Sequence, residues 1–189
     1  MATDRGTDTK DGGQPSREQA MSTGTTNGDK RLEAAEDAGQ YLTFQLGREE
    51  YAVDILRVQE IKGWERATRI PHAPDYVLGV INLRGAIVPI IELRKRFALE
   101  STEFGPTTVV IVVKVTSPHG ERTVGMVVDA VCEVYNVAHA DVKAPPEVGS
   151  SVDTAFVKGL ATVENKMLIL LDIDRLINAS ILDGIGAAA

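Results

Sequence analysis

Val80-Ile81-Asn82-Leu83-Arg84-Gly85-Ala86-Ile87-Val88-Pro89-Ile90-Ile91 is the stretch on which the fold turns. Two apolar runs flank Asn82-Leu83-Arg84-Gly85. Each is too short for a buried helix, and β-branched residues dominate both. A tight β-hairpin with Arg84-Gly85 at its tip is therefore expected, with the glycine supplying backbone freedom that other residues lack. Arg84 then stands on a rigid turn. On residue type alone it is either a solvated or ion-paired charge, or a group presented to a partner. Glu60, in Val58-Gln59-Glu60-Ile61-Lys62-Gly63-Trp64, leaves the same two readings open.

Outward from the hairpin, short strands continue in both directions. On the N-terminal side, residues 41–46 and 51–53 read as strands joined by a turn over 47–50. Asp54 is placed to cap a short helical segment, and Ile55, Val58 and Ile61 recur at three-residue spacing as one apolar face. Pro71 and Pro74 break the chain. Residues 75–78 read as one helical turn before the hairpin, and 92–97 as a short amphipathic helix after it. On the C-terminal side, residues 107–115 (TTVVIVVKV) form a nearly continuous β-branched run, as in a buried strand. A turn at Ser117-Pro118-His119-Gly120 leads to strands over 122–128 and 131–137. An irregular loop from Ala144 to Thr154 precedes strands 156–163 and 167–171, and residues 172–181 close the chain as a helix.

About ten short strands with frequent turns give an all-β architecture. Gly105-Pro106 is the best internal boundary, and two small barrels of about five strands sharing a hydrophobic core are the simplest arrangement. Each alone is marginal at this size, so tight packing between them is expected. Residues 1–38 are polar, lack aromatic residues and show no alternation. They are expected to form a disordered tail. Residues 181–189 are expected to be a flexible C-terminus.

Composition narrows the chemistry. The 189 residues carry a net charge of −7, of which residues 1–40, with eight acids and five bases, supply −3. This acidic balance, with nine Phe, Tyr and Trp residues and no basic stripe, argues against nucleic acid as a partner. Apolar runs of about six residues fall far short of the roughly 20 that span a bilayer, so no membrane insertion is expected. The polar N-terminus has no signal-peptide core, which predicts a cytoplasmic protein. Cys132, the single cysteine, allows no internal disulfide and reads as a small buried hydrophobe. His72, His119 and His139 lack metal-ligand spacing. Asp172 and Asp174 suit a helix N-terminus better than paired catalytic carboxylates, and Asp129 reads as a strand end. No phosphate loop or nucleophile elbow is present, so neither an enzyme nor a cofactor is expected. Trp64, the only tryptophan, reads as a core anchor or, less simply, as a binding platform.

Residues 51–63 (YAVDILRVQEIKG), Thr68-Arg69-Ile70-Pro71, residues 79–93 (GVINLRGAIVPIIEL), residues 124–129 (VGMVVD) and residues 167–172 (MLILLD) together resemble the CheW family of chemotaxis coupling proteins. The likeness runs in order over about residues 40–178. It implies two intertwined SH3-like barrels in a CheW-like domain over 39–180, which the sequence divides at 39–98 for the first barrel and 99–180 for the second barrel with its C-terminal helix.

The resemblance also implies a non-enzymatic scaffold. Such a scaffold couples the cytoplasmic tips of methyl-accepting chemotaxis receptors to the regulatory domain of the histidine kinase CheA, in arrays at the inner face of the membrane. An adaptor of a non-flagellar pathway, serving twitching or surface sensing, is the alternative. By position, the resemblance implies receptor contacts at Val58, Glu60, Arg84, Gly125, Val131 and Val134. It implies kinase contacts around Ile61, Gly63, Trp64 and Val80. An apolar groove floor with Glu60 and Arg84 at its rim suits a helical receptor hairpin.

Overall fold

Alternation explains the architecture, because each central strand is buried on both faces. The computed structural model describes residues 38–100, 103–118, 120–145 and 154–179. In chain order the strands are β1 (Ala38–Leu46), β2 (Glu49–Asp54), β3 (Val58–Gly63), β4 (Val77–Leu83), β5 (Ala86–Glu92), β6 (Val109–Ser117), β7 (Gly120–Val128), β8 (Ala130–Ala138), β9 (Val157–Val163) and β10 (Lys166–Leu171). Two short helices, α1 (Leu93–Arg96) and α2 (Ile173–Asn178), follow β5 and β10.

The strands form two five-stranded sheets, ordered β8-β1-β2-β10-β9 and β3-β6-β7-β5-β4. Each is antiparallel except for one parallel pair, β2 with β10 and β5 with β7. Each curls into a small SH3-like barrel with its own interior. Tyr41, Ala52, Leu168 and Leu170 fill one, while Ile81, Val88, Ile90, Val110 and Val112 fill the other. The opposite faces meet in a central cluster that includes Leu42, Phe44, Tyr51 and Val53 from the first sheet and Ile91, Ile111, Val113 and Met126 from the second. The run 107–115 shows the logic within one strand. Val110 and Val112 enter the barrel, whereas Ile111, Val113 and Val115 enter the shared core. Each such side chain stabilises the fold by about 1.5–3 kcal/mol when fully buried.

The sheets correct the division at residue 98. Neither barrel is a continuous half of the chain: β1 and β2 pair with β8, β9 and β10, while β6 and β7 pair with β3, β4 and β5. Four pairings cross that boundary, antiparallel β1–β8 and β3–β6 and parallel β2–β10 and β5–β7, so each half lends strands to the other's sheet. Local periodicity carries no information about such partners.

Several local expectations are also revised. The helical face of Ile55, Val58 and Ile61 does not form. Asp54 caps a single 3-10 turn, Ile55–Arg57, by accepting a hydrogen bond from the Leu56 N–H. Pairing with β6 then makes residues 58–63 a strand with period two. The helical turn at 75–78 is displaced by β4, which starts at Val77. Cys132 is exposed, because it lies on the edge strand β8. Burial of its surroundings and the nearby Glu50 charge nonetheless push its thiol pKa up, which disfavours the reactive thiolate.

Of the two aspartates expected at the helix N-terminus, Asp172 caps α2 by accepting from the Arg175 N–H. Asp174 instead pairs with Arg57 at 2.7 Å and accepts from the Thr116 N–H. The expected tail, apart from Ala38, and the expected C-terminus at 181–189 lie outside the described residues, as do His119 and residues 146–153 of the loop.

Candidate functional site

The β4–β5 hairpin forms as its composition predicts. Leu83 pairs with Ala86, and Arg84 and Gly85 both take positive φ, 52° and 89°. This is the primed-turn geometry that matches strand twist. The Asn82 Oδ1 accepts the Gly85 N–H at 2.8 Å. From the tip, Arg84 Nη2 reaches Glu60 Oε2 at 2.5 Å. Glu60 belongs to β3, at one edge of the sheet, and Arg84 follows β4, at the other edge. The ion pair thus bridges the two edges across the rim of the barrel. Arg84 is 84% exposed and Glu60 21%, so the pair is worth about 0–1 kcal/mol to folding. Beneath it lies an open depression of about 460 Å3 bordered by Glu60, Leu83, Arg84, Val88 and Thr123.

A bulge at Gln59 sets the neighbouring side chains. It shifts the β3–β6 register between Val58 and Glu60. Val58 consequently packs on the central cluster, while Glu60 lies opposite Val112 of the barrel interior. Thr123 Oγ1 donates to Gln59 Oε1 across this bulge at 3.1 Å.

The remaining residues of the expected receptor face divide. Val131, on β8, packs against the same central cluster as Val58, from the other sheet. Val134, also on β8, is 49% exposed. Gly125 does not belong to this face. It is buried between Val112 and Ile90, and a Cβ there meets both Ile90 Cδ1 and, at 2.8 Å, Val110 Cγ1. The parallel β5–β7 pairing places it inside the barrel, where it admits Ile90. We expect Gly125→Ala to lower stability by about 1–2 kcal/mol in urea unfolding, a modest loss because both obstructing atoms are side-chain ends.

Ile61, Gly63 and Trp64 form a group along and just beyond β3. Ile61 and Gly63 are exposed. Trp64 leans on the barrel interior and stacks at 4.6 Å, tilted 58°, on Phe104. Phe104 lies in the polar stretch 98–106 and carries no periodic signal in the sequence. Val80 lies apart from them on β4, at the opposite edge of the sheet. Its backbone is already paired, since Thr68 and Val80 exchange two 2.8 Å hydrogen bonds.

One bidentate ion pair has no signal in the sequence spacing. Arg94 of α1 donates from Nε and Nη2 to both carboxylate oxygens of Asp129, and the Gly47 N–H donates to the same carboxylate at 2.7 Å. Burial would raise the Asp129 pKa, but these hydrogen bonds and the Arg94 charge outweigh it and hold the carboxyl below its usual range. Three cations lie side by side at 94–96, and only the fold selects which one meets Asp129. Among the described residues no group of three or more His, Cys, Asp or Glu is placed to hold a metal, and no helix is long and apolar enough to cross a membrane.

Two SH3-like barrels fused through one core, with an ion pair on an exposed hairpin that bridges the edges of one barrel, define the class as a double β-barrel protein. A family model described as the CheW-like domain matches residues 40–180. The chain belongs to that family, as a chemotaxis adaptor. It is 44% identical over 147 residues to the chemotaxis protein CheW of Klebsiella aerogenes, covering 77% of this chain and 86% of that protein. The corresponding protein of Rhizobium meliloti is 38% identical over 149 residues, with 79% and 88% covered. Among solved structures, the scaffolding protein TtCheW from Thermoanaerobacter tengcongensis superposes with a TM-score of 0.68 at 34% identity, covering 76% of this chain and 90% of that one.

Proposed function

We propose that this adaptor couples the cytoplasmic tips of methyl-accepting chemotaxis receptors to the regulatory domain of the kinase CheA, without enzymatic activity or a cofactor of its own. The observation that carries this reading is Arg84, a cation contributing little to folding yet held on a rigid tip beside apolar side chains. Leu83 and Val88 border the depression beside Arg84, and Val58 and Val131, half-buried on the central cluster from the two sheets, offer further apolar side chains on the side of β3 away from Glu60. Glu60 and Arg84 supply rim charges, and Val134 extends the apolar surface. A helical receptor hairpin fits such a groove, with the charges acting on orientation and encounter.

The kinase contact is assigned to Ile61, Gly63 and Trp64, with Val80 at its margin. An exposed apolar group on an edge strand suits the desolvated centre of a barrel-to-barrel interface. The protein then resides in the cytoplasm and is recruited to receptor arrays at the inner face of the membrane.

The test is co-sedimentation with receptor-containing membranes, with and without CheA. Arg84→Glu places two like charges at the rim and should weaken receptor binding by at least about tenfold, while leaving cooperative thermal unfolding intact. Normal co-sedimentation and kinase activation by this variant would sink the site assignment, as would its failure to fold.

A further inference from the structure

We propose that Asn82 is the positioning residue for Arg84, holding the guanidinium in the one direction that meets Glu60. This rests on the receptor-binding reading of the hairpin. Arg84 takes φ 52°, a left-handed conformation that a long side chain disfavours. The β9–β10 hairpin has the same form, with positive φ at Glu164 and Asn165. There an asparagine, which tolerates that conformation, fills the second turn position. At the first hairpin the turn consists of an arginine and a glycine, and the asparagine stands two residues earlier instead.

Its position is suited to the task. Asn82 is exposed and lies opposite Ile87 in the ladder. Its Oδ1 accepts from the Gly85 N–H at 2.8 Å, closing a ring around Leu83 and Arg84. The hydrogen bond is made with both tip residues left-handed, and in that conformation Arg84 reaches back to Glu60 of β3. Without it, glycine at 85 allows several turn types, and each sends the arginine elsewhere. Asn82 acts on the partner through Arg84 and need not touch it.

Two readouts separate this positioning role from the receptor reading. The first is the NMR signal of the Arg84 Nη–H protons in the full chain, since Nη2 is the nitrogen that donates to Glu60 Oε2. Asn82→Ala should move it to the position of a free arginine, whereas Asn82→Asp, which keeps the acceptor, should leave it near its original place. An unchanged signal in Asn82→Ala overturns the proposal.

The second readout is co-sedimentation with receptor membranes. Asn82→Ala should weaken it about fivefold, the scale of one local side-chain-to-backbone hydrogen bond. Adding Asn82→Ala to Arg84→Ala should cause no further loss. Losses that add in the double variant overturn the proposal, because Asn82 would then act independently of Arg84. If Arg84→Ala binds receptor normally while the NMR signal still responds to Asn82→Ala, positioning stands and the receptor reading falls.

Discussion

Asp129→Ala should lower the free energy of unfolding by about 3 kcal/mol, measured by urea denaturation at neutral pH. The Arg94 side chain is only 13% exposed, and Asp129 is the carboxylate that its Nε and Nη2 both meet. Removing Asp129 strands that charge and also leaves the Gly47 N–H without its acceptor. Arg94 additionally donates from Nη1 to the Glu100 carbonyl, so the segment after α1 loosens with it. Three connections converge here: the β1–β2 turn, the link from β5 to β6, and the β7–β8 corner. Loss of the anion should therefore propagate to both sheets. A stability change within error would show that water replaces the carboxylate fully.

The same pair gives a pH dependence of defined sign. Asp129 has a lowered pKa in the folded state, so its contribution is complete above the unfolded value, about 3.9. It disappears as pH falls through the lower folded value. Asp129→Asn should thus flatten the loss of stability below about pH 4 relative to the unsubstituted chain. A steeper acid limb in the variant would reverse the assignment.

Gly79→Ala should be at least as damaging, at about 3 kcal/mol or more. Gly79 has φ 140°, outside the range L residues adopt readily. Its Cβ would also be driven into the Thr68 carbonyl, with the carbonyl carbon at 2.6 Å. The obstruction is backbone and cannot rotate away. Relief requires breaking the two hydrogen bonds between Thr68 and Val80, which hold the segment after Trp64 against β4. Gly159 is the counterpart in the other barrel, next to the Lys143–Leu160 bridge. A Cβ there meets the Val142 side chain and, at 2.9 Å, the Lys143 oxygen, but no positive φ adds strain. Gly159→Ala should therefore cost less than Gly79→Ala, and equal losses would show that the backbone conformation contributes nothing.

Those two predictions rest on features that differ in how far the sequence announces them. Gly79 stands at the start of a strand-like run, where a glycine signals close backbone approach, but nothing local names Thr68 as the approaching group. Arg94 and Asp129 are 35 residues apart in a family of similar charges, and no spacing joins them. The Gln59 bulge is equally silent, yet it decides that Val58 and Glu60 face different clusters. The same blindness produced the helical face assigned to Ile55, Val58 and Ile61. A three-residue spacing is real in that segment, but the edge of β6 overrides it by offering a ladder of backbone hydrogen bonds.

By itself the sequence determined every strand but β3, the Arg84–Gly85 hairpin, the cap at Asp54, an aspartate at the start of the last helix, and a β fold with one shared core. These depend on neighbours within a few residues: alternation, turn chemistry and side-chain-to-backbone hydrogen bonds. The ordered likeness across residues 40–178 added the family. Tertiary structure alone decided which strands share a sheet, why neither barrel is a continuous half of the chain, and why Gly125 is interior rather than on a contact face. It also brought Arg84 to Glu60 and Arg94 to Asp129. The reason is physical: parallel pairing and ion pairing join groups that are distant along the chain, and the free energy that selects them arises only once both sheets close on the common core.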